Sequence, residues 1–185
     1  MIARWLLVTA SLLHQQPAPP ATPSQTPAAA SAPAEAPCVA SPYHQFDFWV
    51  GDWDVKTPDG HPAGTNSITA ELKGCVLHEH WSGVRGMKGE SFSTWSPTRR
   101  TWHQTWVDDG GGFLLLDGNL DGNAMVLQGE RREPNGTTTI QRIRYEPRPP
   151  SGLRQLWETS SDGGATWTTV FDGIYTRTSV SAPKP

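Results

Sequence analysis

The sequence predicts an all-β fold, a single up-and-down antiparallel β-barrel of about ten strands. Three observations carry that expectation. From Phe46 onward, β-branched and aromatic residues alternate with polar ones in short runs. Clusters of Gly, Pro, Asn and Asp separate the runs, and no stretch keeps a long 3.6-residue apolar period. Hairpin-joined strands leave sheet edges open unless the sheet closes on itself, which favours a barrel. The alternative, a two-sheet sandwich, needs longer crossing connections than these turns provide.

The chain begins with Met1, Arg4 and the apolar run WLLVTASLL from Trp5 to Leu13. A positive flank before a short apolar core is the pattern of a secretory signal, so residues 1–13 read as its first two regions, with export to the periplasm or the medium as the consequence. The run falls short of the roughly 20 apolar residues a membrane-spanning helix needs. Small residues around Ala18, Ala21 and 28–32 leave the cleavage site open. Residues 14–42 are rich in Pro and Ala and nearly free of large apolar side chains, so they read as a disordered linker. The folded domain is expected over 43–178, with a flexible tail at 179–185.

Within the domain the expected strands lie near 48–56, 65–73, 76–82, 89–95, 101–108, 113–120, 124–132, 137–146, 152–159 and 166–178. Their links are turn-like: TPDG from Thr57, SPTRR from Ser96, DGGG from Asp109, LDGN from Leu120, EPNG from Glu133, PRPPSG from Pro147 and SDGG from Ser161. Asp-Gly and Asn-Gly pairs suit hairpins because they accept positive φ at little cost. The first strand is expected to put Trp49, Gly51, Trp53 and Val55 on one face, with Gly51 leaving room between the two tryptophans.

In an exported protein an even cysteine count favours pairing, so Cys38 and Cys75, the chain's two cysteines, are expected to form a disulfide. With 185 residues, 36% of them apolar, and a formal charge of -3 carried without massed basic residues, the chain suits one domain and gives no footprint for nucleic acid.

Gly51-Asp52-Trp53 resembles the Gly-x-Trp signature of the calycin superfamily, the lipocalins and fatty-acid-binding proteins, and Arg177 in FDGIYTRT resembles the lipocalin arginine that covers that tryptophan. FDFWVGDWDV at 46, GCVLHEHWSG at 74, WHQTWVDD at 102 and SDGGATW with FDGIYTR resemble a bacterial family of exported lipocalin-like domains of unknown function. The resemblance spans nearly all of 43–178 and implies a calycin barrel without implying a reaction. Ser160, Asp162, Gly164, Thr166 and Trp167 also match the Asp-box pattern of sialidase propellers. A propeller needs repeated blades, so the single copy here reads as a tight turn held by Asp162. Haem-binding calycins, the nitrobindins, carry a histidine ligand near the C-terminus, whereas this chain has no histidine after His103 and is expected to hold no haem or other cofactor.

Strand alternation nominates an interior. In VLHEHW, Leu77, Glu79 and Trp81 share the more apolar face; in WHQTW, Trp102, Gln104 and Trp106 do; in GLRQLW, Leu153, Gln155 and Trp157 do. These give a ligand cavity walled by Trp53, Trp81, Trp102, Trp106 and Trp157, with Glu79, Gln104, Gln155, Ser91 and Ser93 as polar points. A buried Glu79 needs a partner, with Gln104 or an inward Arg142 as candidates, or else a raised pKa. The bland alternative is a filled core. His78, His80 and His103 read as half-exposed histidines rather than a metal site, since no acid or cysteine set converges with them by sequence. Asp108 and Asp109 read as turn formers. No nucleophile elbow, phosphate loop or zinc-protease helix is present. Three functions remain: a carrier of a small, partly apolar ligand, an enzyme using Glu79 as general acid or base, or a tethered partner-binding domain.

Overall fold

The computed structural model describes residues 38–178; the segments expected from the sequence to be a signal (1–13), most of a linker (14–37) and a tail (179–185) lie outside the described residues. Ten antiparallel strands follow one another in a closed barrel: β1 (Gly51–Lys56), β2 (Pro62–Glu71), β3 (Val76–Gly83), β4 (Lys88–Ser96), β5 (Thr101–Asp108), β6 (Phe113–Asp121), β7 (Ala124–Arg132), β8 (Thr138–Arg148), β9 (Gly152–Ser160) and β10 (Thr168–Arg177). Each strand pairs with its sequence neighbour, and β1 closes on β10 with Trp53 opposite Arg177. The barrel therefore has no free sheet edge to cover.

The start of the domain departs from the sequence reading. The alternation of FDFWV suggests strand from residue 48, yet the chain makes two 3-10 turns, Ser41–His44 and Asp47–Trp49, and β1 begins only at Gly51. Pro42 suits the first of these turns, having no N–H to satisfy there. Trp49 is consequently not on the strand face of Trp53. Its carbonyl accepts a 2.8 Å hydrogen bond from Trp53 Nε1, and its ring stacks on Phe46 with centroids 4.9 Å apart. Phe46 also meets Trp102 edge-on at 5.7 Å and Tyr145 at 5.0 Å. These rings are all buried, so the entering chain is an aromatic plug that closes one end of the barrel. The disulfide Cys38–Cys75 ties the segment before the plug to the β2–β3 connection. That connection is a short 3-10 turn, Leu72–Gly74, which is why β2 ends at Glu71 rather than 73.

At the same end, Arg177 lies over the Trp53 ring with its guanidinium carbon 4.3 Å from the centroid, and Nη1 donates to the Val50 carbonyl at 2.9 Å. A side chain at Gly51 would collide with that guanidinium, and Gly51 has φ of +134°. The positive φ is what calls for glycine there, and any larger residue would also push the guanidinium aside.

Between β9 and β10, Asp162 holds the turn. It accepts from Ser160 Oγ at 2.7 Å, from the Thr166 amide at 2.9 Å and from Thr166 Oγ1 at 2.6 Å, and these bonds lower its pKa to about 2. The turn occupies 166–167, so β10 starts at Thr168. Asp162→Ala is expected to lower the melting temperature. A depressed carboxyl pKa gives stability present above the unfolded value near 4 and lost as pH falls through about 2. The gap between wild type and variant, followed by thermal melts, should therefore close as pH drops from 5 toward 2; a gap independent of pH would show that the carboxylate is not what holds the turn.

Candidate functional site

Away from the plug the barrel interior is open. A cavity of about 440 Å³ is lined by Trp81, Trp106, Trp157 and Phe171 among its aromatic residues, with Leu114 and Ile143 as aliphatic wall. The lining residues Val84, Arg85, Met87 and Val170 are exposed and mark the mouth between the β3–β4 turn and β10. Tyr145 marks the floor: it lines the cavity while its ring contacts Phe46 and Trp49 of the plug.

Two of the tryptophans lie over glycines. A Cβ at Gly89 on β4 would strike the Trp106 ring, and one at Gly64 on β2 would meet the Trp81 ring. Gly89 thus leaves room for the Trp106 indole, and Gly64 for the Ser82 carbonyl and the Trp81 indole.

Between plug and mouth runs a belt of buried polar groups. Glu79 on β3 is 3% exposed; its Oε1 accepts from Asn66 Nδ2 at 2.7 Å and its Oε2 from Ser91 Oγ at 2.6 Å. Gln104 Nε2 donates to Ser93 Oγ at 3.1 Å and to Ser91 Oγ at 3.3 Å. Tyr145 donates its hydroxyl proton to Gln104 Oε1 at 3.1 Å, Tyr175 donates to Gln155 Oε1, and Asn66 Nδ2 also reaches Tyr175 Oη at 3.3 Å. Burial pushes Glu79 up to about 7, against the opposing pull of the Ser91 and Asn66 hydrogen bonds and of His78 on the outer face. Burial, then the Glu79 charge, pushes both phenols well above the ordinary tyrosine value, so they stay neutral.

The structure thus brings Glu79, Trp81, Gln104, Trp106, Gln155 and Trp157 to one cavity. Ser91 and Ser93 stand behind them as hydrogen-bond partners. Trp53 and Trp102 take other positions. Trp53 lies under Arg177, and Trp102 is packed on Phe46 with its Nε1 donating to Gln45 Oε1 at 3.3 Å. Gln104 reaches Glu79 only through Ser91, and Arg142 does not face inward at all. Gln141 and Ile143 are the buried residues of that stretch, so alternation turns Arg142 outward, where it pairs with Glu158 at 2.8 Å and covers Trp167 at 3.6 Å.

Asn66, Tyr145 and Tyr175 are members of the polar belt that the sequence reading did not nominate. Asn66 is in phase with buried Ile68, and Tyr145 with buried Ile143, so the period was readable once the strand phase was known.

On the outer face His78, His80 and Glu90 place three ligand-type atoms within 4.8 Å of one another, but they already bond among themselves, His78 to Glu90 at 3.1 Å. His103 lies elsewhere, against Asp117 at 2.9 Å. Asp108 accepts from the Gly110 and Gly112 amides, as a turn former does. Among the described residues no helix is long and apolar enough to cross a membrane.

A scan against protein-family models finds none that matches the chain, and a search of curated proteins finds no match. The closed antiparallel barrel with a plugged end and an open aromatic cavity is consistent with a lipocalin-like fold.

Proposed function

We propose that this protein is an exported, calycin-type barrel that binds a small, partly apolar ligand in its cavity, with Glu79 and Gln104 orienting the ligand's polar end. The observation that carries this reading is the cavity itself. Its volume of about 440 Å³ falls within the roughly 300–1,000 Å³ of small-molecule pockets, and it pairs aromatic walls with a few convergent polar groups. The Arg177–Trp53 contact over Gly51 supports the calycin assignment, and the signal-like start together with the disulfide supports a periplasmic or secreted location.

Titration with N-phenyl-1-naphthylamine, a neutral dye that brightens in apolar cavities, tests the reading. Saturable one-to-one binding is expected, weakened in Trp157→Ala, with native mass spectrometry of protein from its own host showing a bound small molecule. Unsaturable dye response and a ligand-free mass would overturn it.

A second reading, docking of a partner, draws on the outer face of β4 to β6, where Phe92, Val107, Phe113 and Leu115 are each about half exposed or more. Dye binding that persists when Phe113 and Leu115 are replaced by serine, alongside loss of an association measured by sedimentation, would separate the two surfaces.

A further inference from the structure

Glu79 is a carboxyl without a counter-ion. Both its partners, Asn66 and Ser91, are neutral, and among the described residues it forms no salt bridge. Each carboxylate oxygen accepts one hydrogen bond and so retains a free lone pair. The neighbouring groups also offer acceptors. Tyr145 and Tyr175 commit their protons to Gln104 and Gln155, which leaves phenol oxygens, not phenol hydrogens, toward the space between them; among the belt residues that line the cavity, Gln155 Nε2 is the donor left uncommitted. Trp81, Trp106, Trp157 and Phe171 surround that space with ring faces, whose quadrupoles attract cations. Among the described lining residues the basic one is Arg85, exposed at the mouth.

We infer that the cavity selects a ligand with a basic nitrogen on an apolar or aromatic body, the protonated amine seated at the Glu79 carboxylate beneath the indole rings. The inference rests on the ligand-binding reading above and names its ligand class. A carboxylate ligand meets the opposite situation: its charge would face Glu79 with no cation at depth to offset it.

An ammonium in the cavity favours the ionised carboxyl, so amine binding is coupled to proton release from Glu79. The other charged or titratable groups near it are the two neutral phenols from β8 and β10, His78 and Glu90 on the outer faces of β3 and β4, and Arg85 at the rim; β2, β5 and β9 present Asn66, Gln104 and Gln155, which do not titrate.

The test is displacement of N-phenyl-1-naphthylamine by three matched compounds, 4-phenylbutylamine, 4-phenylbutan-1-ol and 4-phenylbutanoate, on wild type and Glu79→Gln. At pH 8 the amine is expected to displace the dye at a concentration at least about tenfold below that of the alcohol, a factor corresponding to one well-placed charged hydrogen bond. The carboxylate should be weakest. In Glu79→Gln the amine's advantage over the alcohol, read as the ratio of their displacing concentrations within that variant, should vanish. On wild type it should also shrink between pH 8 and pH 5.5, an arm that needs no variant. Dye binding with alcohol equal to or better than amine, or an amine preference that survives both Glu79→Gln and pH 5.5, overturns this inference and leaves the binding reading standing. Failure of the dye and of all three compounds to bind wild type removes the binding reading and this one with it.

Discussion

Ligand-free Glu79→Gln is expected to be more stable than wild type at pH 8 by about 3 kcal/mol and nearly equal to it at pH 5. Burial raises the Glu79 carboxyl from an ordinary 4.5 to about 7, and at 1.36 kcal/mol per pKa unit that gap sets the magnitude. The sign follows from proton binding. Between pH 4.5 and 7 the folded protein holds a proton that the unfolded chain has released, so stability falls as pH rises through that window and the full cost is borne above pH 7. Glutamine keeps the size and can still accept from Asn66 or Ser91 without ever ionising. Urea denaturation of both proteins at pH 5 and pH 8 reads the effect directly. Parallel pH profiles would mean that the carboxyl is solvated or has a cation beside it, which would remove the basis for an amine site as well. If the barrel is instead an enzyme, the same variant should lose turnover while retaining binding.

That a carboxyl at position 79 faces the interior was readable from Leu77, Glu79 and Trp81, because side chains on a strand alternate without exception unless a bulge intervenes. Depth along the barrel was not readable. Trp102, Gln104 and Trp106 share one face, yet two residues along a strand is roughly 6.6 Å, so they stand at three heights: Trp102 at the plug, Gln104 in the polar belt, Trp106 at the mouth. A sequence period fixes the side, and only the stagger between strands fixes the level. The same limit hid the partners of Glu79. Asn66 on β2 is paired in register with Trp81, two residues beyond the glutamate it actually bonds. Arg142, one of two candidate partners for Glu79, stands one residue out of phase with buried Gln141 and Ile143, and one residue exchanges the faces. The ten strands and their order were legible because nearly every link carries Gly, Pro, Asn or Asp at the turn. The plug was not, since Phe46, Phe48 and Val50 mimic strand alternation within a segment whose conformation is set by the barrel end it covers.

Gly51→Val is expected to destabilise the barrel by about 2–4 kcal/mol at its closed end. Two costs combine. A β-branched residue at φ of +134° is strained by roughly 1–3 kcal/mol, and the added side chain displaces the Arg177 guanidinium from above Trp53. Because Arg177 is exposed, its cation–π contact contributes about 0.5–1 kcal/mol, and the hydrogen bond from Arg177 to the Val50 carbonyl goes with it. The two costs separate in a double-mutant cycle. Arg177→Met alone removes the cation and the hydrogen bond while leaving the backbone at Gly51 unstrained. Adding Gly51→Val to Arg177→Met should then cost only the strain, because no guanidinium remains to collide with, so the double variant is more stable than the sum of the single losses predicts. The dye titration serves as the control, since Trp53, Arg177 and Gly51 do not line the cavity and binding per folded molecule should be unchanged. Strict additivity in the cycle would show that Gly51 and Arg177 act independently, and the glycine would then be needed for its backbone alone.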